Sequence, residues 1–273
     1  MEIKVDAKKI TIATIAYGVI SFSMIMYFLG SGMSVIPLLI GIGLAMAPIP
    51  IYLYLVLRRD EEPEPYKLLI PCFVWGATGA IALSLVFNNV AASVTNMTEN
   101  QATIFAAPLI EEFFKALPLI ILAVFFAKEY NGVRDAVVYS SLIGLGFAMT
   151  ENVIYYMAEF IGSGWEQTLR VFVGRGVASF NAHAVFTSLT GIGIAMALNK
   201  KSSVKVALIL TGFVLAILIH MAWNASATFG KQYFLMMWSV IYIPAVLFII
   251  YYREKKQVLA IARKRLMYNQ LVK

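Results

Sequence analysis

The sequence predicts an all-α, polytopic membrane protein with about eight transmembrane helices and both termini in the cytoplasm. Three observations carry this prediction. Of the 273 residues, 60% are hydrophobic and only 14% charged, whereas a soluble globule needs far more charge on its surface. The mean hydropathy is +0.79. The apolar residues fall into long runs, and the basic residues collect in alternate connections between them.

A helix needs about 20 apolar residues to cross hydrocarbon. Eight runs meet that length, at 10–29, 35–57, 68–94, 101–127, 135–160, 170–198, 204–229 and 233–252. The first follows Lys4, Lys8 and Lys9 like the charged start of a secretion signal. Its apolar stretch is too long for one and no A-x-A-like cleavage site follows, so it reads as a retained helix. The second ends at RRDEEPEPYK (58–67); two prolines and a charge cluster cannot continue a helix in lipid, so this is a rigid cytoplasmic turn. The third holds the lone Cys72, which excludes a disulfide framework and a cysteine metal site.

The fourth and fifth runs carry EEFFK and FAMTEN, ionisable groups within apolar sequence. Glycines in GLGF (144–147) and GIGIAMA (191–197) permit close helix approach. GSGWEQTLRVFVGRG (162–176) reads as an interfacial segment ahead of a sixth span that starts between 170 and 176. In 253–273, Arg263, Lys264 and Arg265 alternate with Val258, Ile261, Leu266 and Leu271, a pattern for a helix lying on an anionic leaflet. The organisation is one transmembrane domain over 1–252, with a core at 101–229, and a basic cytoplasmic tail at 253–273.

Most of the 22 basic residues lie in the N-terminal tail, at Arg58, Arg59 and Lys67, at Lys128 and Arg134, at Lys200, Lys201 and Lys205, and from Arg253 onward. These are alternate loops, so the positive-inside rule puts them in the cytoplasm and requires an even number of spans. The net charge of +7 is therefore a topology signal. The expected surroundings are a lipid bilayer in the cell membrane, with no nucleic-acid partner.

Both histidines of the chain, His183 and His220, sit in apolar runs, as do Glu111, Glu112 and Glu151. Ionisable groups are expensive in hydrocarbon, and five of them on four successive helices mark a functional site. On the fourth span Glu111 and Lys115 share a face at i, i+4, and Glu112 reaches the same lysine at i, i+3. On the others, Glu151 lies one turn beyond Phe147 with Asn152 beside it, His183 precedes Thr187 by one turn, and His220 precedes Asn224 by one turn. With the direction of each span set by the loop charges, these groups share a layer roughly 10 to 20 Å below the outer boundary, at about 1.5 Å per residue.

Two histidines and a glutamate make the ligand set of a catalytic zinc site with one position left for water. A further carboxylate would deprotonate that water. On this reading a divalent metal, zinc first among them, is held by Glu151, His183 and His220, and Glu111 is the base. Glu112 or Lys115 tunes or orients it, and Asn224 donates a hydrogen bond to a ligand or to the developing oxyanion. HExxH is absent, so the signature of soluble metalloproteases is missing. A proton- or cation-coupled transporter would use the same groups as a relay, although no paired Gly/Pro-interrupted spans in two related halves support it. A noncatalytic scaffold would tolerate Glu111→Gln.

The ordered set EExxK, FxxxEN, HxxxT and HxxxN over residues 101–229 resembles the PrsW family of intramembrane proteases. That family is similar to the type II CAAX prenyl endopeptidases, whose paired glutamates precede a histidine where this chain has Glu151. The resemblance implies a multipass protease acting on membrane-anchored proteins, in bacteria notably an anti-sigma factor cut on its extracytoplasmic side. Carried over by motif, the functional positions are Glu111, Glu112, Lys115, Glu151, His183 and His220, with Asn152 and Asn224. A glutamate-based mechanism without metal is compatible with the same residues.

Overall fold

The computed structural model describes residues 35–57 and 64–230, with the single positions 16, 18 and 259. The runs at 10–29 and 233–252, most of the 58–67 loop and nearly all of the basic tail lie outside the described residues. Among the described residues the regular structure is helical, without strands. Four stretches are long and apolar enough to cross a membrane: Val35–Leu57, Tyr66–Thr95, Val133–Ala197 and Ser202–Thr228. The helical residues 99–125 carry Glu111, Glu112 and Lys115, three charges within one apolar length.

Helices α1 (Val35–Met46) and α2 (Ile49–Leu57) divide the run expected at 35–57. Pro48 and Pro50 each lack an amide hydrogen, which interrupts the ladder between them. After the turn come α3 (Tyr66–Val74), a π-helical segment Trp75–Ala80 and α4 (Ile81–Thr95), which ends on Asn96 in the left-handed conformation at φ 53°. Thr98 and Gln101 form a capping box at the short helix α5 (Glu99–Gln101), and a second π segment, Ala102–Ala106, leads into α6 (Ala107–Phe125). Helix α7 (Val133–Phe172) is the longest, α8 is Ala182–Ala197, and α9 is Ser202–Thr228.

The stretch 162–176, expected at the interface, is helical apart from Gly164, whose φ of 79° and ψ of −172° break α7. The chain then runs through a third π segment, Val173–Ala178, and leaves helical geometry at Ser179 and Asn181. The run expected at 170–198 is thus two helical pieces joined by a turn, and α8 starts one residue before His183. Ser179 donates to Gly174 O at 2.7 Å and so closes the end of the first piece.

Helix α7 is the centre of the bundle. An added Cβ at Gly146 would stand 2.1 Å from Phe73 O, and one at Gly76 would stand 2.0 Å from Ile143 O, so α7 and the α3 region meet backbone to backbone. On another face Gly144 meets His183 O and Ala184, while Gly191 meets Ser140 and Ala136 O; α8 therefore runs antiparallel to α7. Gly41 brings α1 against Val153 O, and Gly193 and Gly212 bring α8 against α9. Small residues at membrane helix crossings admit this approach, and dispersion between close backbones holds it where lipid offers no hydrophobic gradient.

Proline also shapes the packing of α6. Pro118 cannot donate to Phe114 O four residues earlier. Trp75 Nε1 takes that carbonyl at 3.0 Å and pins the first π segment to α6. Ala80, Ile81, Phe114 and Phe147 close the apolar cluster beneath the site.

Gly146→Ala is expected to destabilise the protein by about 1–3 kcal/mol through overpacking against Phe73 O, read as a lowered thermal midpoint in detergent. Gly162→Ala, whose new Cβ meets nothing within 4 Å, should stay within about 0.5 kcal/mol of wild type.

Candidate active site

Four helices deliver the site. Lys115 on α6 is fully buried at its centre, with Nζ 3.0 Å from Glu112 Oε1, 3.4 Å from Glu111 Oε2 and 2.9 Å from His183 Nδ1. The same ammonium lies 3.7 Å from the centroid of the Phe147 ring, a cation–π contact in a dry environment. The i, i+3 and i, i+4 spacing of EEFFK puts all three of its charged groups on the face of α6 that meets α8 and α9.

Each imidazole has a carboxylate behind it. Lysine is a donor, so His183 Nδ1 accepts from Lys115, and His183 Nε2–H donates to Glu151 Oε2 at 2.9 Å. His220 Nδ1 lies 3.0 Å from Glu112 Oε1, as a donor to that carboxylate, which leaves the Nε2 lone pair on the side of Glu111 Oε2, 3.8 Å away. Carboxylate partners of this kind fix tautomer and ring orientation in metal-ligating histidines. Phe186 stacks on His220 with centroids 4.7 Å apart and an interplanar angle of 21°.

Glu112 has both oxygens engaged, Oε1 with Lys115 and His220 and Oε2 with the Thr187 hydroxyl at 3.2 Å. Glu151 Oε2 accepts from Arg175 as well as from His183. Arg175 Nε donates to Asn152 Oδ1 at 2.8 Å, and its guanidinium lies over the Tyr155 ring at 3.9 Å. Among the described residues Glu111 is the least engaged of the three carboxylates, with the long contacts to Lys115 and His220.

All the residues singled out in the sequence meet in or beside this cluster, in an arrangement that differs from the expected one in two respects. Glu111, His183 and His220 each offer a donor atom within 4.8 Å of the others. Glu151, grouped with the imidazoles in the sequence reading, meets His183 from behind and pairs with Arg175. Asn224, expected to face a ligand or oxyanion, gives an amide hydrogen to Thr103 O at 2.9 Å. Arg175 and Phe186 stand outside the residue patterns, whereas Phe147 is the aromatic of FxxxEN; an arginine inside VFVGRGVA, an apolar stretch that demands a counter-charge, is the available signal for Arg175.

One carboxylate and two imidazoles are donors that zinc takes. The donor set fits such a metal once Lys115, 2.9 Å from His183 Nδ1, releases that nitrogen's lone pair.

The profile of a family described as PrsW family intramembrane metalloprotease matches residues 64–252, a segment containing the whole cluster. Protease PrsW of Oceanobacillus iheyensis is 28% identical over 166 residues, covering 61% of this chain and 73% of that protein. Protease PrsW of Clostridioides difficile is 31% identical over 137 residues, with 48% and 55% covered. Protease PrsW of Geobacillus kaustophilus is 25% identical over 134 residues, with 49% and 56% covered. The chain thus spans little more than half the length of the last two. No solved structure matches it. With more than half of its length matched and the polar motifs gathered on four helices, the chain belongs to the PrsW family of intramembrane proteases.

Proposed function

We propose that this chain is an intramembrane protease that hydrolyses peptide bonds of membrane-anchored proteins, of the anti-sigma-factor kind, near the extracytoplasmic side of the cell membrane. The observation that carries this reading is the approach of Glu111, His183 and His220 to within 4.8 Å, with a carboxylate behind each imidazole. Family membership favours hydrolysis over coupled transport. The depth of the polar layer, reckoned from the eight spans and cytoplasmic termini that the sequence predicts, supports a cut in the outer half of the bilayer.

Glu111, His183 and His220 are the residues that would hold a divalent ion, with zinc the best match to the donors. When bound, such an ion supplies a positive centre that polarises water and the peptide carbonyl. Glu111 takes a proton from water, whose oxygen then bonds to the scissile carbonyl carbon. The C–N bond breaks and Glu111 returns the proton to the leaving nitrogen, giving a carboxylate and an amine. Glu112 and Glu151 hold the imidazoles in orientation, and Lys115 bridges Glu111, Glu112 and His183.

The substrate helix must unwind first, because helical carbonyls are hydrogen-bonded and shielded. The non-helical turn at Ser179 and Asn181 lies next to His183, in the kind of irregular backbone that membranes admit only where protein or a wet cavity surrounds it.

Glu111→Gln is expected to lower cleavage of a single-span reporter by about 10²–10⁴-fold and to weaken metal binding, since the amide takes no proton and is a poorer ligand than a carboxylate. His220→Ala should lose both cleavage and metal. Retained cleavage in both variants removes the mechanism, and loss in both with wild type free of metal leaves a glutamate-only version.

Lys115→Met strands Glu112 and His183 without their buried donor. It should destabilise the metal-free protein by about 3–5 kcal/mol, while chelator competition reads a tighter hold on zinc.

The spans are tested by cysteines placed singly in a Cys72→Ala background. Residues near 60, 130, 200 and 265 should label only from the cytoplasmic face, and residue 97 only from outside.

A further inference from the structure

Besides the Trp75 bond to Phe114 O, two hydrogen bonds cross between helices to a carbonyl that lacks its α-helical partner, and both come from residues close in sequence to the catalytic groups. In a π turn the amide of residue i+5 closes on carbonyl i, so the ladder slips and one carbonyl is left for an outside donor. In the segment Ala102–Ala106, the Ala107 amide closes on Ala102 O. The following residue is Pro108, which has no amide hydrogen, so nothing in the ladder reaches Thr103 O. Asn224 Nδ2 supplies that hydrogen from α9, at 2.9 Å.

In the segment Trp75–Ala80, the Ile81 amide turns back to Thr78 O instead of Ala77 O. Thr150 Oγ1 donates to Ala77 O from α7 at 2.7 Å, in a fully buried setting. This is not what a helical threonine ordinarily does. Thr78, Thr95, Thr168 and Thr228 each bond the carbonyl four residues earlier in their own helix, the usual local choice. Asn89 does the same with Leu85 O, whereas Asn224 reaches a different element.

The locations of these two exceptions give them meaning. Thr150 immediately precedes Glu151, the carboxylate that orients His183. Asn224 lies one turn beyond His220 and ties α9 to the helical stretch that carries Glu111. A rotation of either helix about its axis would carry the neighbouring catalytic side chain out of the cluster, and each cross-bond opposes that rotation. Gly146 and Gly76 bring the two backbones close enough for a side chain as short as threonine to span the gap.

We propose that Thr150 and Asn224 are positioning residues, which set the rotation of α7 and α9 by donating to Ala77 O and Thr103 O in two π segments, and so place Glu151 and His220. The proposal rests on the proteolytic reading for its effect on rate, but not for its effect on the imidazoles.

The test compares full-length wild type with Thr150→Val, which keeps shape and loses the donor, Thr150→Ser, which keeps the donor, and Asn224→Leu. Thr150→Val and Asn224→Leu should lower kcat on a single-span reporter on the order of 10²-fold with KM little changed, and Thr150→Ser should restore the rate. Ring ¹⁵N signals read the same point without catalysis, because the chain has only two histidines and His220→Ala assigns them. Thr150→Val should move the His183 signals, Asn224→Leu should move those of His220, and Thr150→Ser should move neither. A wild-type rate and unmoved ring signals in folded Thr150→Val and Asn224→Leu overturn the proposal, as does failure of serine to restore what valine loses. Should wild type cleave no reporter, the proteolytic reading fails and the ring signals alone decide.

Discussion

Everything in the centre of this bundle depends on the Lys115 ammonium. Two adjacent glutamates on one helix and a third on the next would repel one another in a dry interior and would be costly to desolvate. Lys115 touches Glu111, Glu112 and His183 at once and rests on the Phe147 ring. It therefore joins α6 to α7 and α8 and fixes the tautomer of His183. Arg175 does the corresponding work for Glu151 at the more open edge of the site. The result is a polar cluster in which the imidazoles and two of the carboxylates are held, and Glu111 alone keeps loose contacts.

Holding that cluster requires helices that approach closely and turn by fixed amounts. Glycines at 41, 76, 144, 146, 191, 193 and 212 supply the approach by letting backbone meet backbone. Prolines supply the irregularity, because Pro108 and Pro118 leave Thr103 O and Phe114 O without their ladder partners, and side chains from other helices take those carbonyls. A missing amide hydrogen thus becomes a specific tie between helices. In lipid, where an unsatisfied carbonyl costs several kcal/mol, such ties restrict which rotation of each helix is tolerated.

The helical fold, the apolar helices long enough to cross a membrane and the polar groups that gather between them were legible in the sequence. Hydropathy and run length depend on composition along the chain, and a charged side chain inside an apolar run stands out without knowledge of its neighbours. The i, i+4 relation of Glu111 to Lys115 and of His220 to Asn224 needed only the helical period. Tertiary structure decided which donor faces which. Glu111 and Glu151 look alike by sequence depth, and only the meeting of α6, α8 and α9 sets Glu111 beside both imidazoles while Arg175 draws Glu151 behind His183. The helix break before His183, the partner of Arg175 and the engagement of Asn224 with Thr103 O likewise depend on the rotation and crossing of helices far apart in the chain. Sequence periodicity gives the face of each helix, but the contacts between faces arise only when the helices pack.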